Sequence, residues 1–285
     1  METNAGQTRP KLFVDTNICV NVANGAIAPD EWKRVSLHIR THYLYQISFI
    51  TVKELFVKLA RGLDEHFEMN KKPLQVLCEL SPAEFLPYPA VFALRTVLGL
   101  TSAARRAPLP EEELTRIVCK AILEAHTSSK ARLKHGVPYP DNPNGFLTFD
   151  LDHFDQHENK PQKRHVSLVQ GMQQERVEMP DATRLAELML QDCGQETNAD
   201  SCKKLAGATT AAYAFSCNLA RMSRNKNSPA RFEKRETDWG DIMQLYYLCD
   251  ESMHFLTCDK KCKNQTQGSS QQSRIILFED LIRSI

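Results

Sequence analysis

Four carboxylates in this sequence stand where a strand is predicted to end or a helix to begin. They are Asp15, Glu54, Asp241 and Asp259. In an open α/β sheet, the carboxyl ends of the strands and the starts of the following helices gather along one edge, so acids from distant segments can meet there. Carboxylates brought together repel each other, and burial raises their pKa values. The usual remedy is a hard divalent cation with oxygen ligands, Mg²⁺ or Mn²⁺.

Each acid taken alone has a simpler interpretation as a capping or turn residue. Thr51 and Glu54 have the spacing of a capping box, in which the glutamate only holds a backbone N–H. The three aspartates could cap a helix or stabilise a turn in the same way. The metal-site hypothesis therefore depends on all four acids converging.

Composition limits the classes of function. The chain has 285 residues, an apolar share of 42% and a net charge of +1. No global field points to nucleic acid or membrane, although a local basic patch is compatible with this balance. A polar start and the lack of an apolar run of membrane-spanning length predict a cytoplasmic protein without a membrane anchor. The nine cysteines are irregularly spaced and predict reduced thiols, since the single close pair, Cys258 and Cys262, is too few for a zinc site.

The elements that would position the acids cluster at the two ends of the chain. Strands are predicted near residues 11–15, 43–49, 253–257 and 274–278. Helical periodicity or context predicts helices near residues 52–66, 88–100, 112–126, 181–190, 200–222 and 241–248. The pattern indicates an α/β layer built from both termini with a helical insertion between them. Residues 135–165, rich in Pro, Asn, Asp and Gly, are expected to form an extended loop.

Four segments together resemble a PIN domain, the nuclease fold of many bacterial toxin–antitoxin ribonucleases. They are "LFVDTNI" from residue 12, "ITVKELF" from residue 50, "DIMQLYYLCDESMHFLTCD" from residue 241 and "SRIILFEDLI" from residue 273. The resemblance covers residues 10–66 and 236–285. It implies a three-layer α/β/α core with a central parallel sheet, formed by residues 1–66 and 236–285. Residues 67–235 would be a mainly helical insertion, far longer than a minimal member of the family has.

The resemblance also implies the site and its activity. It assigns metal binding and catalysis to Asp15, Glu54, Asp241 and Asp259, supported by Thr16, Asn17, Asp238 and Thr257. Asp238 remains an alternative third acid, although the spacing of eighteen positions from Asp241 to Asp259 favours Asp241. The expected activity is Mg²⁺- or Mn²⁺-dependent endonucleolytic cleavage of RNA that leaves 5′-phosphate and 3′-hydroxyl ends. DNA remains open as a substrate, and an antitoxin or other protein partner and a homodimer are further expectations.

Basic residues flank the last two acids in the sequence. They are Arg221, Arg224, Lys226, Arg231, Lys234 and Arg235 before Asp241, and Lys260, Lys261 and Lys263 after Asp259. Such cations can guide a polyanion to an acidic pocket, and the simpler alternative is a solvated basic loop.

The residues allow two alternatives to the nuclease hypothesis to be compared with it. A non-catalytic module that binds RNA or protein through the same core remains open. A haloacid-dehalogenase-like phosphatase is disfavoured, because that family needs a second aspartate at the place occupied by Asn17. His153 and His157 are four residues apart, but the surrounding Pro and Gly favour a polar loop over a second metal site.

Overall fold

A computed structural model describes residues 9–80, 83–100, 111–127, 135–139, 142–149, 181–224 and 238–285. Its centre is a five-stranded sheet in which every strand pair is parallel. The strands in chain order are β1 (Lys11–Val14), β2 (Leu44–Ile47), β3 (Glu84–Phe85), β4 (His135–Tyr139), β5 (Asn142–Phe149), β6 (Met253–Thr257) and β7 (Ile275–Leu277). The central sheet has the order β3-β2-β1-β6-β7, while β4 and β5 form a separate antiparallel pair.

Helices make up most of the remaining described residues. They are α1 (Thr16–Ala23), α2 (Pro29–His42), α3 (Phe49–Arg61), α4 (Phe67–Glu79), α5 (Pro89–Leu98), α6 (Glu111–Glu124), α7 (Ala182–Asp192), α8 (Ala199–Ala208), α9 (Thr210–Arg224), α10 (Asp238–Leu245), α11 (Lys260–Gln265) and α12 (Phe278–Ser284). A 3-10 turn at Tyr246–Cys249 leads from α10 towards β6.

The apolar residues of β1 divide between two cores, one on each face of the sheet. Leu12 and Val14 pack in the core that receives residues of α1, α2, α3, α4, α6 and α12. Phe13 points the other way, into a core with residues of α9, α10 and β6. Because a parallel sheet covered on both faces is buried throughout, its strands are short apolar runs. The protein therefore has the three-layer α/β/α architecture and central parallel sheet that the sequence predicted.

The core extends beyond the boundary expected at residue 66. Helix α4 contributes Phe67, Leu74 and Leu77 to the same apolar cluster as β1. Strand β3 then pairs with β2 and forms one edge of the central sheet. Residues 67–85 therefore belong to the core, and the insertion begins later in the chain than expected. Strand β3 has only two residues, too few for a recognisable strand pattern in the sequence.

Two other predictions of local structure need correction. The loop expected over residues 135–165 is wrong for residues 135–139 and 142–149, which form the antiparallel pair β4–β5, and its remaining part lies outside the described residues. The helix expected over residues 200–222 is two helices, α8 and α9. Gln271 stabilises the break between them, since its side-chain amide donates to the carbonyl of Ala208 and accepts from the N–H of Ala211 at 2.8 Å.

A buried lysine joins α4 to the end of α6. Lys71 is 2% exposed, and its Nζ lies 2.8 Å from Glu68 Oε1 and 2.6 Å from the carbonyl oxygen of Ala125. The last carbonyls of a helix have no partner within the helix, so this ammonium satisfies a group that would otherwise lose hydrogen bonding.

Lys71→Met should lower the free energy of unfolding by about 2 kcal/mol, because a buried charge-assisted hydrogen bond is lost. Lys120→Met is the matched control, since Lys120 is on α6, its side chain is 73% exposed, and its nearest carboxylate is 4.0 Å away. Its effect should stay within about 0.5 kcal/mol. Urea unfolding of both variants checks the difference, and equal midpoints would contradict this role of Lys71.

Candidate active site

The ends of two adjacent strands bring the first and last acids together. Asp15 directly follows β1, and its backbone N–H continues the ladder by donating to Leu256 of β6 at 2.9 Å. Asp259 lies two residues beyond the end of β6. Since β1 and β6 are paired and parallel, the two carboxylates lie at the same edge of the sheet.

The Asp15 carboxylate is buried and held by three donors. It is 4% exposed, and its Oδ2 accepts hydrogen bonds from Thr257 Oγ1 at 2.6 Å and Asn17 Nδ2 at 2.5 Å. Its Oδ1 accepts a hydrogen bond from Gln244 Nε2 at 3.3 Å. Burial raises the pKa of Asp15 even though these hydrogen bonds favour the charged form. Its side chain makes no capping hydrogen bond to α1, so the capping interpretation does not hold for this acid.

Glu54 faces the same place from α3 and is not part of a capping box. Ser48 caps this helix, accepting hydrogen bonds from the N–H groups of residues 50 and 51. The Thr51 hydroxyl instead donates to the carbonyl of Val14 at 3.0 Å, and Glu54 lies one turn further on. Glu54 Oε2 accepts a hydrogen bond from Thr16 Oγ1. Thr16 therefore links the second acid to the end of β1.

Asp241 lies among the other acids. Burial raises its pKa well above the ordinary value of 3.8, and the negative charges of nearby carboxylates raise it further. These carboxylates belong to Asp15, Glu54, Asp259 and Asp238. The four acids singled out in the sequence thus converge, although they come from segments up to 244 residues apart.

Asp238 has a different environment from Asp241, although both are on α10. Its carboxylate is completely buried, and its Oδ1 lies 2.6 Å from Lys261 Nζ. The Lys261 ammonium at this distance pairs with Asp238, whereas the charges that act on Asp241 are those of acids, Asp238 included. The geometry therefore favours Asp241 as the third acid of the site and makes Asp238 the partner of Lys261.

Asp259 combines two interactions. It is the N-cap of α11, and its Oδ1 accepts a hydrogen bond from the N–H of Lys261 at 2.7 Å. The capping interpretation thus holds for this acid, but its carboxylate also lies near enough to raise the pKa values of Asp15 and Asp241. The Thr257 hydroxyl orients the turn by accepting the N–H of Asp259 at 2.9 Å.

Two residues that sequence reasoning did not single out complete the pocket. Gly240 lies directly against Glu54 Oε1, so any side chain at position 240 would collide with that carboxylate. Gln244 is fully buried and contacts Asp15. The sequence signal for both residues is local. Gly240 directly precedes Asp241, and Gln244 is a polar residue among the apolar residues that follow Asp241.

The donor atoms of the site match a hard divalent cation in their chemistry. They are carboxylate oxygens and include no thiolate or imidazole, which is the chemistry that Mg²⁺ and Mn²⁺ prefer. Within the described ranges, no group of three or more His, Cys, Asp and Glu side chains is arranged so that it could hold a metal ion. The case for a cation rests instead on mutual repulsion, since burial and neighbouring acids disfavour the charged form of Asp241.

The chain was compared with protein-family models, with curated proteins and with solved structures, and none of them matched. Function must therefore be argued from the site. In the part of the chain that the structure describes, no helix has the length and apolar character needed to span a bilayer.

The predicted RNA-binding cations have mixed placements. Arg221 is exposed on α9, and Arg224 is the last residue of that helix. Lys226, Arg231, Lys234 and Arg235 lie outside the described residues, as do His153 and His157. Lys260 and Lys263 lie 2.6 Å and 3.7 Å from acids of α12. Among the predicted cations that the structure describes, Lys261 is therefore the one that pairs with an acid of α10.

In chelator, we expect the acid cluster to make stability fall as pH rises. The pKa values of Asp15 and Asp241 are higher in the folded protein than the ordinary value of 3.8, so the folded state binds more protons than the unfolded state above that pH. The stabilising contribution of protonation is full below about pH 4 and is lost as pH rises through the raised folded values.

Melting temperature measured from pH 4 to pH 8 in chelator tests this dependence. Other groups titrate as well, so the informative quantity is the difference in melting temperature between Asp241→Asn and the wild type. As pH rises, the melting temperature of the variant should increasingly exceed that of the wild type. The same difference at every pH would contradict the repulsion among the acids.

Proposed function

We propose that this protein is a metal-dependent endoribonuclease that hydrolyses phosphodiester bonds in RNA at the pocket of Asp15, Glu54, Asp241 and Asp259. The observation that carries the proposal is the convergence of the acids. Asp15 and Asp259 follow paired parallel strands at one edge of the sheet, and Glu54 lies against Gly240, the residue before Asp241. A protein gains nothing in stability from bringing such carboxylates together, so a ligand that offsets the repulsion accounts for the arrangement best. The order of the four segments, which resembles that of a PIN domain, supports the same proposal.

Asp15 and Glu54 are the acids whose positions are best fixed. Asp15 receives hydrogen bonds from Thr257, Asn17 and Gln244, and Glu54 receives one from Thr16. Carboxylates locked in this way keep their oxygens oriented for a cation without reorganisation. Asp241, in the first turn of α10, and Asp259, just after the end of β6, add further negative charge.

A divalent cation at this pocket would lower the pKa of bound water and stabilise charge on a phosphate. The residues of the chain would position the cation and the substrate. The acids would hold the cation, the hydroxyls of Thr16 and Thr257 would fix their orientation, and the Lys261 ammonium would offer a positive charge to the substrate backbone. Lys261 is suited to this because its side chain is 47% exposed while Asp238 anchors its Nζ.

The proposal is tested by incubating the purified protein with a labelled single-stranded RNA and Mg²⁺. We expect cleavage by the wild type and none by Asp15→Asn, because asparagine keeps the shape of Asp15 but lacks the charge that a cation needs. The same sequence offered as DNA establishes which nucleic acid is preferred. If the variant cleaves as fast as the wild type, the activity does not come from this site. RNA binding without any cleavage would favour a non-catalytic module.

A further inference from the structure

Helix α10 carries a stripe of three polar residues, of which the first and the last are buried. Asp238, Asp241 and Gln244 are spaced three apart, and residues 242, 243 and 245 between and beside them are buried and apolar. Residues at this spacing share one side of a helix. Asp238 contacts Lys261, and Asp241 lies among the acids. Gln244 contacts Asp15, the first acid of the site.

Only one end of the Gln244 carboxamide makes a hydrogen bond to a described residue. The residue is fully buried, and its Nε2 donates to Asp15 Oδ1 at 3.3 Å. Its Oε1 is also buried, and it has no hydrogen-bond partner among the described residues. Buried polar atoms are nearly always hydrogen-bonded, so an acceptor left open beside a carboxylate indicates that a donor belongs there. A water molecule is the smallest such donor.

Another buried glutamine in this fold shows the contrast. Gln271 is 3% exposed, and both ends of its amide are engaged by backbone groups. Its Nε2 donates to the carbonyls of Ala208 and Leu248, and its Oε1 accepts from the N–H of Ala211. Gln271 is thus a structural residue whose hydrogen bonds are complete. Gln244 has its Nε2 against the first acid of the site, whereas its Oε1 is buried and has no hydrogen-bond partner among the described residues.

We propose that Gln244 belongs to the cation site, where Nε2 orients the Asp15 carboxylate and Oε1 accepts a hydrogen bond from a water molecule of the hydrated divalent cation. The inference rests on the proposed function for the existence of that cation. An amide suits this place because it accepts a hydrogen bond without adding a further negative charge to acids that already repel each other. Gln244 is therefore a positioning residue and acts through Asp15 and water.

The test measures Mn²⁺ affinity by electron paramagnetic resonance, and melting temperature with and without Mn²⁺. It compares wild type, Gln244→Met, Gln244→Glu and the control Gln271→Met. Methionine has nearly the length of glutamine but neither a donor nor a strong acceptor. Glutamate keeps an acceptor and adds a charge that a cation can offset. RNA and cleavage are not needed for any of these measurements.

We expect Mn²⁺ to bind about ten- to a hundredfold more weakly to Gln244→Met, as for loss of a group that orients a ligand. Gln271→Met should lower the melting temperature but keep wild-type Mn²⁺ affinity. Because a ligand stabilises the folded state according to its affinity, the rise in melting temperature caused by Mn²⁺ should be largest for Gln244→Glu, intermediate for wild type and smallest for Gln244→Met. If Gln244→Met does not fold, the rise in melting temperature caused by Mn²⁺ is compared between Gln244→Glu and the wild type, and this comparison decides whether Gln244 belongs to the cation site.

Two outcomes would overturn the inference in distinguishable ways. Wild-type affinity in Gln244→Met, or a Mn²⁺-induced rise for Gln244→Glu no larger than that of the wild type, would leave the cation site standing and remove Gln244 from it. A wild-type protein that binds no Mn²⁺ would remove the cation site that the proposed function requires, and the inference would fall with it.

Discussion

Asp241→Asn is expected to reduce RNA cleavage by about a hundredfold or more and to make the metal-free protein more stable. The loss of activity follows because an amide lacks the charge that offsets dehydration of the cation. The gain in stability follows because the pKa of Asp241 is raised by burial and by neighbouring acids, so its ionised form opposes folding near neutral pH. In chelator, the melting temperature should rise by about 2 °C or more. Cleavage rate and melting temperature are measured on the same preparation.

Asp238→Asn is the matched control for this result. It makes the same chemical change one turn earlier on the same helix, at a carboxylate paired with Lys261 rather than surrounded by acids. We expect it to lower stability by about 1 kcal/mol, because a half-exposed ion pair is lost, and to leave most of the cleavage rate. Near-normal cleavage by Asp241→Asn together with inactive Asp238→Asn would reverse the assignment of the third acid.

Removing divalent cations should abolish cleavage completely. Without a cation, the pocket presents several negative charges to a substrate whose backbone is also negative, and no residue among the acids and hydroxyls replaces the missing positive charge. Adding Mg²⁺ or Mn²⁺ in excess of the chelator should restore the rate.

The control for this prediction is circular dichroism in the same chelator, which should show an intact fold. A folded protein that is inactive without cation and active after its addition supports a catalytic site rather than a structural one. Loss of the fold in chelator would instead make the cation a structural component.

The sheet and most elements of the site could be predicted from the sequence because they are local patterns. Residues 11–14 and 253–257 are short apolar runs that end at polar residues, and such runs predict buried parallel strands. The structure places both strands side by side, and the acids that follow them therefore meet. The alternation of Leu12, Phe13 and Val14 between two cores follows from the same period of two.

Other features could not be predicted because they depend on contacts between distant segments. The part of Gly240 in the pocket depends on how closely Glu54 approaches it from α3. The ion pair between Asp238 and Lys261 joins residues 23 positions apart and decides which aspartate faces the acids. Thr51 and Glu54 match a capping box in sequence, but Ser48 three residues earlier is the residue that caps the helix. A motif alone does not fix the point at which a helix begins.

The most direct test of the proposed activity is the chemistry of the RNA ends produced by the wild-type protein with Mg²⁺. Hydrolysis at a cation held by carboxylates should leave 5′-phosphate and 3′-hydroxyl ends, and neither the chelator-treated protein nor Asp15→Asn should yield these products. RNA ends carrying a 2′,3′-cyclic phosphate, produced equally in chelator, would contradict the account, because they would come from attack by the ribose hydroxyl without the cation.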